Sequence, residues 1–278
     1  MPTLSSELRN KLERVVIEAR EAAEAGARAA LEALAVHHYE PYPHMKPAQR
    51  QLRNQLRARA RQLGDRQDTS GRSTIDHLVG ECAYEHWHRM LFARFLAENG
   101  LLIEPQENMA ISLAEAEELA KEDGVDVWVF ASRCAQGMLP QIFRPDDPLL
   151  QVSFATEHML KLERLLAYLP QPVFTASDAL GWVYQFWQSK KKDEVNRSGV
   201  KIGADEIAAV TQLFTESYMV DFLLHNTLGA WWAGRKLTAD DLRNATSEED
   251  LRRKIALPGV KWEYLRFVRS SPSPSTGE

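Results

Sequence analysis

The stretch Val125-Asp126-Val127-Trp128-Val129-Phe130-Ala131-Ser132-Arg133-Cys134-Ala135-Gln136-Gly137-Met138 decides between two fold classes. Its first six residues alternate in the manner of a strand. Residues Ala131 to Met138 then continue without a turn signal, so the whole stretch reads as a helix over 125–138. With that settled, strand signals are scarce everywhere else, and the chain reads as mainly α.

Moving outward, Ser112 to Leu119 opens an acidic helix over 112–123. Before it, Ile75 to Glu98 carries Leu78, Cys82, Trp87, Leu91, Phe92, Phe95 and Leu96, and Gly100 suits the left-handed position that ends a helix. Residues 47–63 form a basic helix. Arg50, Arg53 and Arg57 lie at i, i+3 and i+7 on one face, with Arg61 beyond them. The N-terminal 4–36 reads as one long helix through Leu4, Leu8, Leu12, Val15, Val16 and Ala19; its alanine-rich second half favours close packing against another helix. On the other side, helices are expected at 156–169 and at an aromatic 177–188. Ser189 to Gly203, with Lys190, Lys191 and Lys192, reads as a mobile loop. Helices resume at 204–210 and 216–233, and a Ser/Pro-rich tail over 269–278 is expected to be disordered.

The 278 residues are 44% hydrophobic and 26% charged, ordinary for a folded chain. A formal net charge of −5 excludes nucleic-acid binding through bulk positive charge but allows a local basic patch. Cys82 and Cys134 are too few and too far apart for a disulfide framework or a cysteine-rich zinc site. There is no signal peptide and no apolar run of about 18 residues, so a cytoplasmic chain with no membrane partner is expected.

The chemistry-bearing motifs are missing. GxSxG, HExxH, Walker A and GxGxxG are all absent, and no catalytic residue can be named. His37, His38 and His44 read as structural rather than as metal ligands, because adjacent histidines on a helix diverge by about 100°. His86, His88 and both cysteines read as core residues. No metal is expected.

One segment is sharper: Ala208-Ala209-Val210-Thr211-Gln212-Leu213-Phe214-Thr215-Glu216-Ser217-Tyr218-Met219-Val220-Asp221-Phe222-Leu223-Leu224-His225-Asn226-Thr227-Leu228-Gly229. Thr215 reads as an N-cap, with Glu216 in the first turn and an apolar face of Tyr218, Met219, Phe222 and Leu223. A helix N-terminus beside a free hydroxyl suits a carboxylate ligand. The segment resembles motif X of the adenine-specific (N6) DNA methyltransferases, above all the large one-chain enzymes of type II restriction–modification and phage-exclusion (BREX) systems. Ala83 to Gly100, and Leu180-Gly181-Trp182-Val183-Tyr184-Gln185-Phe186-Trp187-Gln188, are similar to two further segments of that family, in the same order. Glu216 stands where the family usually has proline.

The resemblance implies that Phe214 and Thr215 contact S-adenosylmethionine. It also implies a Rossmann-like catalytic domain with a Gly-rich cofactor loop and an Asn-Pro-Pro-Tyr motif, neither of which this sequence contains. The expected organisation is a helical domain over 1–110, a second helical segment over 111–203, a motif-bearing helix over 204–268, and the tail. The expected function is that of an N-terminal methyltransferase part, inactive alone. It would touch double-stranded DNA through Arg50, Arg53, Arg57, Arg61 and Lys190–Lys192, and a separate chain would carry the catalytic half. The competing readings are a non-catalytic helical interaction module or a degenerate methylase remnant, and, for the arginines, a solvated face paired with the acidic helix.

Overall fold

The computed structural model describes residues 3–144, 146–199, 201–203, 207, 210 and 214–268. The expected helix over 204–210, the first part of the motif-bearing segment and the 269–278 tail therefore fall largely or wholly outside the described residues. The chain divides into two units, Met1–Leu213 and Phe214–Glu278.

The first unit is built on α1 (Ser6–Ala33), whose N-cap Ser5 accepts a hydrogen bond from the Leu8 amide at 3.3 Å. Leu12, Val15, Val16, Ala19, Ala23, Ala27 and Leu31 form its buried stripe. It packs against α3 (Asp76–Glu98), α6 (Thr156–Tyr168) and α8 (Ala179–Ser198). The small residues allow the close approach expected of them: a Cβ on Gly26 would lie 2.9 Å from the Phe154 ring and 3.0 Å from Cβ of His158. Because α1 joins elements from both sides of residue 110, the two helical segments expected at 1–110 and 111–203 form one body.

Helix α2 (Pro47–Gln62) begins with proline at its first position, where no backbone donor is needed. Helix α3 buries residues on several sides and forms the middle of the core, with Trp87, Leu78, Met90 and Leu91 essentially inaccessible. Its N-cap Ile75 offers no oxygen. Asp65 supplies one from a distance, accepting from the amides of His77 (3.2 Å) and Leu78 (2.9 Å) and from the Thr74 hydroxyl (3.0 Å). A two-residue antiparallel pair follows, Ile103–Glu104 with Met109–Ala110. Then come α4 (Leu113–Glu122), closed by a Ser112/Glu115 capping box, and α5 (Val127–Met138), capped by Asp126. The stretch that could have been a strand is a helix.

The expected lysine loop is a correction: α8 runs on to Ser198 and stops at Gly199, which takes φ 63. Polar residues do not break a helix. Ser189 to Ser198 contains neither proline nor glycine, and Lys and Glu are good helix formers. A short helix, α7 (Gln171–Thr175), lies between the helices expected at 156–169 and 177–188.

In the second unit, α9 (Ser217–Leu224) runs through a π-helical segment (His225–Gly229) into α10 (Ala230–Lys236), followed by α11 (Ala239–Asn244) and α12 (Glu248–Lys254). Its small core is Ala233, Ile255, Trp262 and Leu265.

Candidate nucleic-acid and cofactor surfaces

The arginines of α2 share a face as their spacing requires, but that face is turned inward. Arg53 and Arg57 are only 4% and 8% exposed. The Nε of Arg53 donates to the Ala35 carbonyl at 2.9 Å and its Nη2 to the carbonyls of His38 and Tyr39. Arg57 donates to the carbonyls of Val36 (2.7 Å), His38 and Gly71 (3.2 Å). These groups satisfy the carbonyls left over where α1 ends, around Ala35, which adopts a left-handed φ of 52. Arg53 and Arg57 are therefore struck from the direct phosphate contacts: reaching a phosphate would unpack the turn they hold. Arg50 and Arg61 stay on the surface. Among the described residues, no arginine of α2 pairs with the acidic α4; Arg59 pairs instead with Glu81 at 2.9 Å.

Lys190 is exposed in the second half of α8, and Lys191 and Lys192 after it are half-buried. Lys190 lies 3.3 Å from Glu24 of α1, while Lys191 lines the clefts beside His77 and Arg66. A cleft of about 880 Å³ carries acids and bases together, including Arg20, Glu24, Arg28 and Asp76.

The motif-bearing helix starts one residue later than its sequence suggests. Glu216, not Thr215, is the N-cap, with no side-chain capping bond. Phe214 is half-buried and Thr215 exposed, and the Ser217 and Tyr218 amides have no protein partner among the described residues. Two free donors beside a hydroxyl are compatible with a carboxylate ligand. The apolar face is bare: Tyr218, Met219, Phe222, Leu223, Leu228 and Trp231 are all more than two-fifths exposed.

The end of the segment, Asn226-Thr227-Leu228-Gly229, acquires a mechanical meaning. Asn226 Nδ2 donates to the Tyr264 carbonyl (2.8 Å) and its Oδ1 accepts from the Arg266 amide (3.1 Å), so one side chain pairs with backbone as a strand would. His225 Nδ1 accepts from the Tyr264 amide at 3.0 Å. Gly229 admits Trp262, whose Nε1 donates to the Ile255 carbonyl at 3.0 Å. The π-helical segment thus receives the turn at 262–266, in which Trp262 takes φ 53 and the Leu265 amide donates to the Trp262 carbonyl at 3.0 Å.

The other two family-like stretches also serve as framework. Arg94 bonds the Leu166 and Leu169 carbonyls at the end of α6 and lies over the Phe174 ring, while Asn99 holds the Phe174 carbonyl at 3.0 Å. Trp182 Nε1 donates to Asp178, which also accepts from the Leu4 amide at 2.8 Å and ties the N-terminus of α1 to α8. His86 is buried, and its Nε2 donates to the Leu149 carbonyl at 3.1 Å, leaving Nδ1 to face Arg89. Burial, helped by the Arg89 charge, lowers its pKa to about 3. The same burial raises the Cys134 thiol to about 11, so it does not serve as a thiolate nucleophile. Among the described residues no His/Cys/Asp/Glu group is placed to hold a metal, and no helix is long and apolar enough to cross a membrane.

No family model matches the chain, and no solved structure matches it. Two curated proteins match part of it. The adenine-specific methyltransferase BrxX of Escherichia coli O9:H4 (strain HS) is 38% identical over 71 residues, 26% of this chain and 6% of that protein. The adenine-specific methyltransferase PglX of Lacticaseibacillus casei (strain Zhang) is 29% identical over 100 residues, 34% of this chain and 8% of that protein. Over those stretches the chain is related to adenine-specific methyltransferases. The matched part spans less than a tenth of either relative's length.

Proposed function

We propose that this chain is the helical N-terminal part of an S-adenosylmethionine-dependent, adenine-specific DNA methyltransferase of a bacterial phage-defence or restriction–modification system. The partial identity to two proteins of that name carries the reading. The packing supports it. Residues within the three family-like stretches clamp backbone or bind a neighbouring turn, at Arg94, Asn99, Trp182 (to Asp178) and Asn226.

In this reading S-adenosylmethionine would supply the methyl group that the catalytic domain transfers to the adenine amino group. Phe214 would pack beside it, and Thr215 with the amides of Ser217 and Tyr218 would hold its carboxylate. Arg50, Arg61, Lys190, Lys191 and Lys192 meet the phosphates of double-stranded DNA, a salt-dependent and sequence-independent contact. The bare apolar face from Tyr218 to Trp231 receives the catalytic domain, on this chain's own continuation or on a separate chain. The chain alone transfers no methyl group.

A second reading, a non-catalytic interaction module, draws on the same bare face, because contiguous apolar surface marks a partner site. Sequencing the DNA that follows the Glu278 codon distinguishes them. A Gly-rich loop followed by Asn-Pro-Pro-Tyr, in any frame, supports the methyltransferase reading. Their absence within about 200 residues' worth of sequence, a domain's length, favours the module.

A further inference from the structure

The corner where α1 gives way to α2 carries more than charge. The turn over 34–46 brings a row of rings together: His37 and His38 with centroids 4.0 Å apart, His38 and Tyr42 at 5.6 Å, Tyr42 and His44 at 5.7 Å and nearly parallel, 13° apart. Tyr39 beside them is 62% exposed, and His44 is exposed as well. The loop over 67–73 docks against this turn through the Ser73 amide on the His37 carbonyl (3.0 Å) and through Gly71, packed on Tyr39. That docking brings Arg72 to the rings.

Beneath the rings lie Arg53 and Arg57, whose bonds go to carbonyl and amide oxygens and never to a carboxylate. Carbonyls satisfy a guanidinium's donors without cancelling its charge. Helix α2 contributes five arginines and no acid. Lys46, Arg50 and Arg72 stand exposed around the rim. The acids nearby are Glu32, Glu40 and Asp68, and Asp68 is taken up by the Ser70 hydroxyl and amide and by the Arg72 amide. The corner therefore combines a fixed positive charge from below, exposed cations at the edge (Arg50 donating to the Met45 and Pro43 carbonyls at 3.1 and 3.2 Å) and aromatic faces on top. A duplex offers phosphates to such a surface but keeps its base faces stacked inside; an unpaired strand offers both.

We infer that the α1–α2 corner is a contact surface for unpaired nucleic acid, with phosphates at Lys46, Arg50 and Arg72 and bases against Tyr39, Tyr42 and His44. The inference rests on the nucleic-acid reading above and deepens it. Arg53 and Arg57 contribute to it by their field alone.

The test is fluorescence anisotropy of the full chain with a labelled single-stranded 16-mer and the same sequence as a duplex, at two salt concentrations. The double variant Tyr42→Ala/His44→Ala is expected to lose about tenfold in affinity for the single strand, with duplex affinity and salt slope unchanged. Arg50→Ala/Arg72→Ala is expected to weaken both forms and to reduce the salt slope by about two. A ring variant that binds the single strand like the parent overturns the inference and leaves duplex contact standing. Equal loss on both forms overturns it too, because the rings then read no exposed base. If the parent binds neither form, the inference and the DNA reading both fall. Thermal melts check that each variant folds; should the ring double melt early, the exposed His44→Ala alone carries the test.

Discussion

Trp262 lies against Gly229 so closely that a Cβ on the glycine would stand 2.7 Å from the indole Cε3 and 2.9 Å from Cζ3. Gly229 is not there for its backbone freedom, since the chain around it is helical. It is there for the space it leaves. Gly229→Ala should displace the indole and destabilise the second unit by about 1–3 kcal/mol. Tryptophan fluorescence during urea unfolding reads the change; an unaltered midpoint would show that the two residues do not constrain each other.

Asn226 offers a donor and an acceptor to consecutive backbone groups of the 264–266 stretch. Asn226→Asp keeps the acceptor and loses the donor, so the Tyr264 carbonyl goes unpaired. The expected loss is about 1–3 kcal/mol, with earlier proteolysis near Arg266. Limited trypsin digestion of the parent and variant at equal concentration measures it.

Arg53 holds three carbonyls with one rigid fork. Arg53→Met should cost at least about 3 kcal/mol and loosen the α1–α2 corner, because buried acceptors lose their donors. Arg53→Lys should rescue little, since a single ammonium cannot span Ala35, His38 and Tyr39. Thermal melts of both variants decide it. Full rescue by lysine would mean that charge rather than geometry matters there.

His86 makes stability depend on pH. In the folded protein it stays neutral down to about pH 3, whereas in the unfolded chain it takes a proton below about 6.5. Between those limits the unfolded state binds the extra proton, so stability is complete above about 6.5 and falls as the pH drops. The loss from pH 7.5 to pH 5 should be about 2 kcal/mol from this residue. Burial lowers His37 and His88 in the same direction. Urea unfolding of His86→Gln should show lower stability at pH 7.5 but a shallower fall to pH 5. A fall as steep as the parent's would assign the pH dependence elsewhere.

Most of the fold was legible in the sequence because helices announce themselves through local periodicity and capping. Gly100 takes the left-handed position expected of it, and the 125–138 stretch is a helix. The arginine stripe was legible as a face but not in its direction. Spacing gives the angle around a helix, while the carbonyls that captured Arg53 and Arg57 come from a turn 14 to 21 residues earlier and from Gly71 in a later loop. The lysine run was read from polarity, and polarity does not end a helix that has no breaker. Asp65 capping α3 and Asn226 gripping 264–266 act between distant segments, and no short motif announces either. The family-like stretches were visible as patterns, but only packing shows that they work as clamps.

The most direct test of the account is equilibrium binding of a duplex oligonucleotide to the full chain across a salt series. Contacts by Arg50, Arg61 and the α8 lysines predict a steep linear fall of log affinity with log salt, and a shallower line for Lys190→Ala/Lys191→Ala/Lys192→Ala. Binding that is absent, or indifferent to salt, would contradict the DNA contact and leave the interaction module as the better account.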